Sequence, residues 1–326
     1  MGQYFLKRIL YVIPTLFGVS LLVFLLFFAV NSPDQMARQA LGEKASTPEQ
    51  IARWKAAREY DLPLFFNAEA TGAEKLTTTL FFRKSLRMFI GDFGVSDMTL
   101  EPIGEQLKRR VWPSLCLMVP VFFGSLFVNI VLAMSAASSR GSGWDFGIQV
   151  CCVATMSIST LVYIIVCQFI FGAWLKLVPV SGFFPGQDMV RFLTLPIFIG
   201  ILGNIGSGVR FYRTLFLEEM GKDYVRTARA KGLSEFRVQF VHILKNALIP
   251  ILTNAPVQML MLVMGSVLLE KFFSIPGMGG FTIQAVNNQD FSVVRVMVFL
   301  GTVLYMAGIL LTDLCYVLVD PRVRLK

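Results

Sequence analysis

The chain has 326 residues, 55% of them hydrophobic, with 30 Lys and Arg against 21 Asp and Glu and a formal net charge of +9. A mean hydropathy of +0.64 excludes a soluble globular domain, and a single histidine, His242, excludes a His-based metal cluster or catalytic triad. The five cysteines fall in apolar runs without a CxxC pair, so neither a zinc site nor a disulfide framework is implied.

Six runs, 9–30, 112–134, 147–175, 192–212, 249–269 and 293–318, are long enough to cross a bilayer core, which takes about 20 helical residues. Backbone groups in lipid must bond within their own segment, so the spans are expected to be helices. A β-barrel is excluded by the lack of alternating strands of about ten residues.

Charge placement orients the spans. Lys7 and Arg8 precede the first, Arg140 follows the second, a dense basic stretch follows the fourth, and Arg322, Arg324 and Lys326 end the chain. The opposite side carries only Lys176, Arg191, Lys271 and Arg295, once the long 31–111 segment is set aside as too long to obey the rule. Both termini and the loop 213–248 are therefore expected in the cytoplasm. The excess charge is a topology signal and implies no nucleic-acid partner.

In chain order, residues 1–30 form a short cytoplasmic end and a retained first span, whose apolar core is too long for a cleaved signal peptide. Residues 31–111 read as a solvated external subdomain with nearly balanced charge and a Pro-initiated helix at Thr47-Pro48-Glu49. Residues 112–326 make a five-helix core. Trp112-Pro113-Ser114 opens the second span, with Pro113 expected near its first turn, and Asn129 is a polar residue inside it. The fourth span carries Pro196, Gly200, Gly203, Asn204, Gly206, Ser207 and Gly208. Small residues at such spacing let helix backbones approach closely, and packing is the plainer reading than a substrate role.

The loop after that span has more order than a connection requires. Asp223–Ala230 has helix-compatible residues with an acid at its start. Gly232 stands where a left-handed cap is expected. Ser234 is expected to cap a second helix, with Glu235 in its first turn and Phe236, Phe240, Val241, Leu244 and Leu248 on one face. The plainer alternative is an amphipathic pair resting on anionic lipid. The fifth span carries Asn254, Gln258, Met259, Met261 and Met264, and Asn204, Asn254, Gln258 and Met261 are candidates to line a pathway. Asp313 in the last span is an intramembrane acid expected to pair with a basic neighbour. No P-loop, HExxH or GxSxG motif occurs, so no catalytic and no metal-binding residue is assigned.

The stretch DYVRTARAKGLS at 223–234, followed by KNALIP at 245–250, resembles the EAA loop of binding-protein-dependent ABC importer permeases, nearest the dipeptide, oligopeptide and nickel branch. Arg226, Thr227 and Ala228 stand where the motif has Glu-Ala-Ala, Gly232 is its glycine, and Ile249-Pro250 replaces its closing Leu-Pro. Further segments resemble that branch: YDLPL at 60–64, GDFGVS at 91–96, VPVSG at 178–182, FSIPGMG at 273–279 and DPRVR at 320–324.

The resemblance implies a type I ABC importer permease, an all-α membrane protein with six transmembrane helices, a periplasmic subdomain between the first and second, and a cytoplasmic coupling helix between the fourth and fifth. It implies that Asp223, Tyr224, Arg226, Thr227, Ala228, Arg229, Ala230, Lys231, Gly232 and Leu233 engage an ATPase subunit. The implied partners are a second homologous permease, two ABC ATPases, a periplasmic solute-binding protein and the lipid of a bacterial inner membrane. No cofactor is expected on this chain, because ATP and Mg would sit on the ATPases. Two other classes stay open: a secondary transporter, which calls for intramembrane carboxylate pairs or a discontinuous helix pair in corresponding halves, neither evident in the sequence, and a membrane scaffold, which needs no ordered loop.

Overall fold

The computed structural model describes residues 2–30, 32–42, 47–68, 70–72, 74–184, 186, 188–253 and 255–319, and among these every extended element is a helix. The first, α1 (Gly2–Val30), carries Pro14 inside it. Next come α2 (Pro33–Leu41) and α3 (Pro48–Ala57), both with Pro in the first turn and both closed by capping boxes. In α2 the Gln35 N–H donates to Ser32 Oγ at 3.3 Å and the Ser32 N–H to Gln35 Oε1 at 2.9 Å. The Thr47–Gln50 pair repeats the device, so the Pro-initiated helix expected at Thr47-Pro48-Glu49 forms.

Short helices α4 (Glu74–Thr77) and α5 (Leu80–Lys84) lead through a 3-10 turn at Leu86–Ile90 to α6 (Ile103–Ser138). Beyond it lie α7 (Gly143–Ser157), α8 (Thr160–Cys167) with a π turn at Gln168–Trp174, and α9 (Met189–Met220). The basic loop holds α10 (Asp223–Ala230), α11 (Glu235–Arg237) and a π turn at Val238–Ile243. The chain closes with α12 (Leu244–Thr253), α13 (Ala255–Met264), α14 (Val267–Phe272), α15 (Met278–Asn287) and α16 (Phe291–Val319).

Four of these are long and apolar enough to cross a membrane: Leu10–Phe28, Ile103–Ser138, Met189–Met220 and Phe291–Leu314. The pair α7 and α8, continued by its π turn, is a fifth candidate bent by 93°. The chain is thus an all-α, multi-pass membrane protein. The stretch 249–269 holds the end of α12, all of α13 and the start of α14, and Asn254 between them lies outside the described residues.

Three expectations are corrected. The run 147–175 is not one continuous helix. Ile158 is extended (φ −97°, ψ 128°), and Ser159 starts α8 afresh by accepting the Leu161 N–H at 3.3 Å. Secondly, α6 begins at Ile103, so Pro113 lies in the helix interior, where it removes one rung of the ladder. The third concerns the second helix of the basic loop. Ser234 sits at the cap position but its hydroxyl makes no cap hydrogen bond. The expected apolar face is also the wrong one, because Phe236, Phe240 and Val241 are exposed while Val238, Ile243, Ala247 and Ile251 are buried. The π turn explains it: five residues separate Val238 from Ile243, and the α-helical repeat of four resumes only afterwards.

Contacts divide the chain into two units, Met1–Arg110 with Phe281–Met306, and Val111–Gly280 with Ala307–Lys326. In the first, Phe24, Met36, Ile51, Trp54, Tyr60 and Phe81 form the apolar core, with Trp54 stacked on Tyr60 at 5.6 Å. Against it lies a buried polar network. Asp97 accepts the Tyr60 hydroxyl at 3.0 Å and the Ser292 N–H at 2.9 Å, while Asp290 accepts the Asp97 N–H at 3.1 Å and the Ser96 hydroxyl. Burial, with the Asp97 charge second, pushes the Tyr60 phenol well above its usual range, so it stays a neutral donor.

Two apolar clusters are found among the described residues of the second unit. One joins α6, α7, α9, α10, the π turn at Val238–Ile243 and α12 through Met134, Cys152, Phe216, Val225, Ile243 and Ala247. The other joins α6, α8, α9 and α14 through Leu117, Ile164, Ile199, Leu269 and Phe273. Close approach of α9 depends on glycine: a Cβ on Gly206 would lie 2.7 Å from the Cys152 carbonyl, and one on Gly208 would strike the Asn129 amide. The expected close packing of the fourth span is thus found at Gly200, Gly206 and Gly208, whereas an added Cβ on Gly203 would meet open space.

Candidate functional site

The basic loop is built on a helix with two faces. Val225 and Ala228 of α10 are buried in the cluster with Phe216 and Ile243, whereas Asp223, Arg226, Thr227, Arg229, Ala230 and Lys231 are exposed. Tyr224 is half-buried and donates its hydroxyl to Glu219 Oε2 at 2.6 Å; Glu219 also pairs with Lys222 at 2.6 Å. Burial and that acceptor push the Tyr224 phenol up to about 12, so it remains a donor at neutral pH.

Gly232 ends α10 with φ +77°, as its cap role requires. The Gly232 N–H donates to the Arg229 carbonyl at 2.9 Å and the Leu233 N–H to the Ala228 carbonyl at 3.4 Å, the paired bonds of a Schellman motif. Half-buried Leu233 packs beside the same apolar cluster. Beyond the turn, Phe236 and Phe240 hold their rings 4.5 Å apart and stay exposed. The loop therefore presents charge, two aromatic rings and a rigid helix end on a base anchored in the bundle.

A cavity of about 760 Å³ opens within the second unit between α6, α9 and the segment 258–268. Asn129, Asn204, Gln258, Ser125, Ser207 and Tyr212 supply its polar wall, and Phe122, Phe211 and Leu262 part of its apolar wall. Its lining holds no Asp, Glu, His, Lys or Arg among the described residues. Asn129 Nδ2 donates to the Asn204 carbonyl at 3.5 Å, while Asn129 Oδ1 and Ser125 Oγ are buried without a hydrogen-bond partner among the described residues. Of the four expected lining residues, Asn204 and Gln258 are brought together here. Asn254 lies outside the described residues, as does the side chain of Met261 in α13.

The sequence reading missed two polar anchors in this unit. Arg213 clasps Asp145 with two bonds of 2.8 and 2.7 Å, tying α9 to the start of α7. Glu270, 1% exposed, accepts the Ser114 hydroxyl at 2.6 Å and the Gly280 N–H at 2.8 Å, and Ser114 accepts the Met278 N–H at 2.8 Å. The Pro276-Gly277 turn thus wraps a buried carboxylate that holds the first turn of α15. A lone acid closing the apolar run Val267-Leu268-Leu269 was the available signal. Asp313 is buried, as an intramembrane acid should be.

The family described as binding-protein-dependent transport system inner membrane component matches residues 129–325. The chain belongs to that family. Its relatives run the full length: a putative peptide transport system permease protein of Brucella abortus is 32% identical over 324 residues, 98% of each chain. The glutathione transport system permease protein GsiC of Salmonella typhimurium is 30% identical over 328 residues, 100% of each. The importer-permease resemblance carried by 223–250 is borne out along the whole chain. Within this family α10, with its glycine cap, is the segment that carries the resemblance to the EAA motif.

Proposed function

We propose that this importer permease forms half of a translocation pathway for peptides or a related small solute, driven by two separate ABC ATPases. Its relatives' names support the substrate class. The observation that carries the reading is α10: exposed on one side, buried through Val225 and Ala228 on the other, and stopped rigidly at Gly232. A helix held in this way transmits a push from a docked ATPase into α9 and α12, which share its apolar cluster. Asp223, Arg226, Thr227, Arg229, Ala230 and Lys231 would meet the ATPase; Tyr224, Ala228, Gly232 and Leu233 would hold the helix in place.

In this reading six helices cross the inner membrane, with 249–269 as the fifth and the bent α7–α8 pair as the third. Both termini and the basic loop face the cytoplasm, and residues 31–111 face the solute-binding protein. The cavity at Asn129, Asn204 and Gln258 is the pathway wall, and a homologous second permease supplies the other half. The chain itself binds neither ATP nor Mg. The bend at Ile158–Ser159 is a feature that a secondary transporter would share, but a cavity lined, among the described residues, by no carboxylate or imidazole gives a coupling proton no carrier.

Purification in mild detergent should bring down a second permease and two ATPase copies, and uptake into proteoliposomes should require ATP. A stable ATPase-free monomer or homodimer that still catalyses uptake would overturn the proposal.

A further inference from the structure

A second cavity, of about 290 Å³, lies wholly within the first unit and has the opposite character to the apolar-walled one. Arg58, Arg83, Lys84, Arg87 and Arg295 line it, faced by only two carboxylates, Glu59 and Asp92. Those two are taken: Glu59 pairs with Arg83, and Asp92 with Arg87 at 3.3 Å. Arg58 spends its Nε on the main-chain oxygen of Asp97 at 2.7 Å and lies over the Trp54 ring. Asp97 and Asp290, the nearby buried acids, have their oxygens occupied by Tyr60, Ser292, Ser96 and main-chain N–H groups. That leaves Arg58, Lys84 and Arg295 in the wall with no carboxylate bonded to them among the described residues.

Arg295 makes the imbalance specific. It is 3% exposed, with Nη2 donating to Ser292 Oγ at 3.0 Å, while Nε and Nη1 have no hydrogen-bond partner among the described residues. A buried guanidinium edge without an acceptor is costly, and its planar fork fits a carboxylate or phosphate. Burial first, then the Arg295 charge, pulls the Lys84 pKa below the usual lysine range, against the opposing charges of Asp97 and Glu59. A bound anion would reverse that.

We infer that this cavity is an oxyanion site, taking one carboxylate or phosphate group between the free edge of Arg295 and the ammonium of Lys84. Two sources carry such a group: the C-terminal carboxylate of a short peptide, and the phosphate of an anionic lipid headgroup. The site belongs to the first unit and stands independently of the pathway cavity.

The full chain in mild detergent would be titrated calorimetrically with acetyl-dialanine bearing a free carboxylate and with its C-terminal amide. In parallel its thermal unfolding would be followed in nanodiscs with and without phosphatidylglycerol. Lys84→Gln, at the edge of the cavity, and Arg295→Lys, which keeps the charge but loses the fork, would accompany the wild type. Binding of the acid but not the amide, weakened about tenfold or more in both variants, supports the site with a peptide source. Stabilisation by phosphatidylglycerol alone, lost in both variants, supports it with a lipid source. Binding of neither, or binding indifferent to both substitutions in chains that retain wild-type circular dichroism, overturns it.

Discussion

Arg229 and Glu235 stand on opposite sides of Gly232 and clasp each other, Nε to Oε1 at 2.7 Å and Nη2 to Oε2 at 3.2 Å. Both are about half exposed, so the pair contributes only about 0.5 kcal/mol to stability. Its consequence is geometric: together with the Schellman bonds it sets the angle between α10 and the segment that follows.

Gly232→Val tests that angle. The space around Gly232 is open, with no atom within 4 Å of an added Cβ, so the cost is backbone strain at φ +77° of about 1–2 kcal/mol. Membrane insertion is expected to be normal while ATP-driven uptake falls. Wild-type uptake combined with wild-type ATPase binding would remove α10 from the coupling path.

Glu270→Ala strands the Gly280 N–H and deprives Ser114 of an acceptor, each at about 1–3 kcal/mol. Gly277→Ala also destabilises, because its Cβ would collide with the Glu270 carboxylate. The double variant should cost less than the two single losses combined, since each change removes the other's partner. Additive shifts in detergent thermal melts would show that the turn does not depend on the carboxylate.

The Asp145–Arg213 pair is largely buried, with side chains 4% and 16% exposed. Arg213→Met leaves Asp145 without its guanidinium and is expected to cost about 3–5 kcal/mol, whereas Asp145→Asn with Arg213→Met should recover part of that. Equal melting temperatures for the single and double variants would contradict the assignment.

Topology is checked by reporters. Those at Ser142, Lys222 and Lys326 should report cytoplasm, and those at Thr71, Gly186 and Asn287 the outside. One reversed site breaks the six-span alternation, including the reading of α7–α8 as a single crossing.

What the sequence by itself determined was local or cumulative. The all-helical membrane class follows from apolar run length, because a backbone in lipid has no other partners. The starts of α2 and α3 and the stop of α10 follow from a Ser, a Thr and a Gly whose partners lie within a few residues. Tertiary structure decided the rest. The apolar face of 235–251 was misread because a π turn, invisible to a fixed helical period, moved burial from Phe236 and Phe240 to Val238 and Ile243. The break in 147–175 left no Gly or Pro at Ile158–Ser159 to announce it. Glu270 finds Ser114 across 156 residues, and Arg295 finds Tyr60 across 235. Whether a buried charge is an anchor or an open site depends on what folding brings against it, and no window of neighbouring residues contains that information.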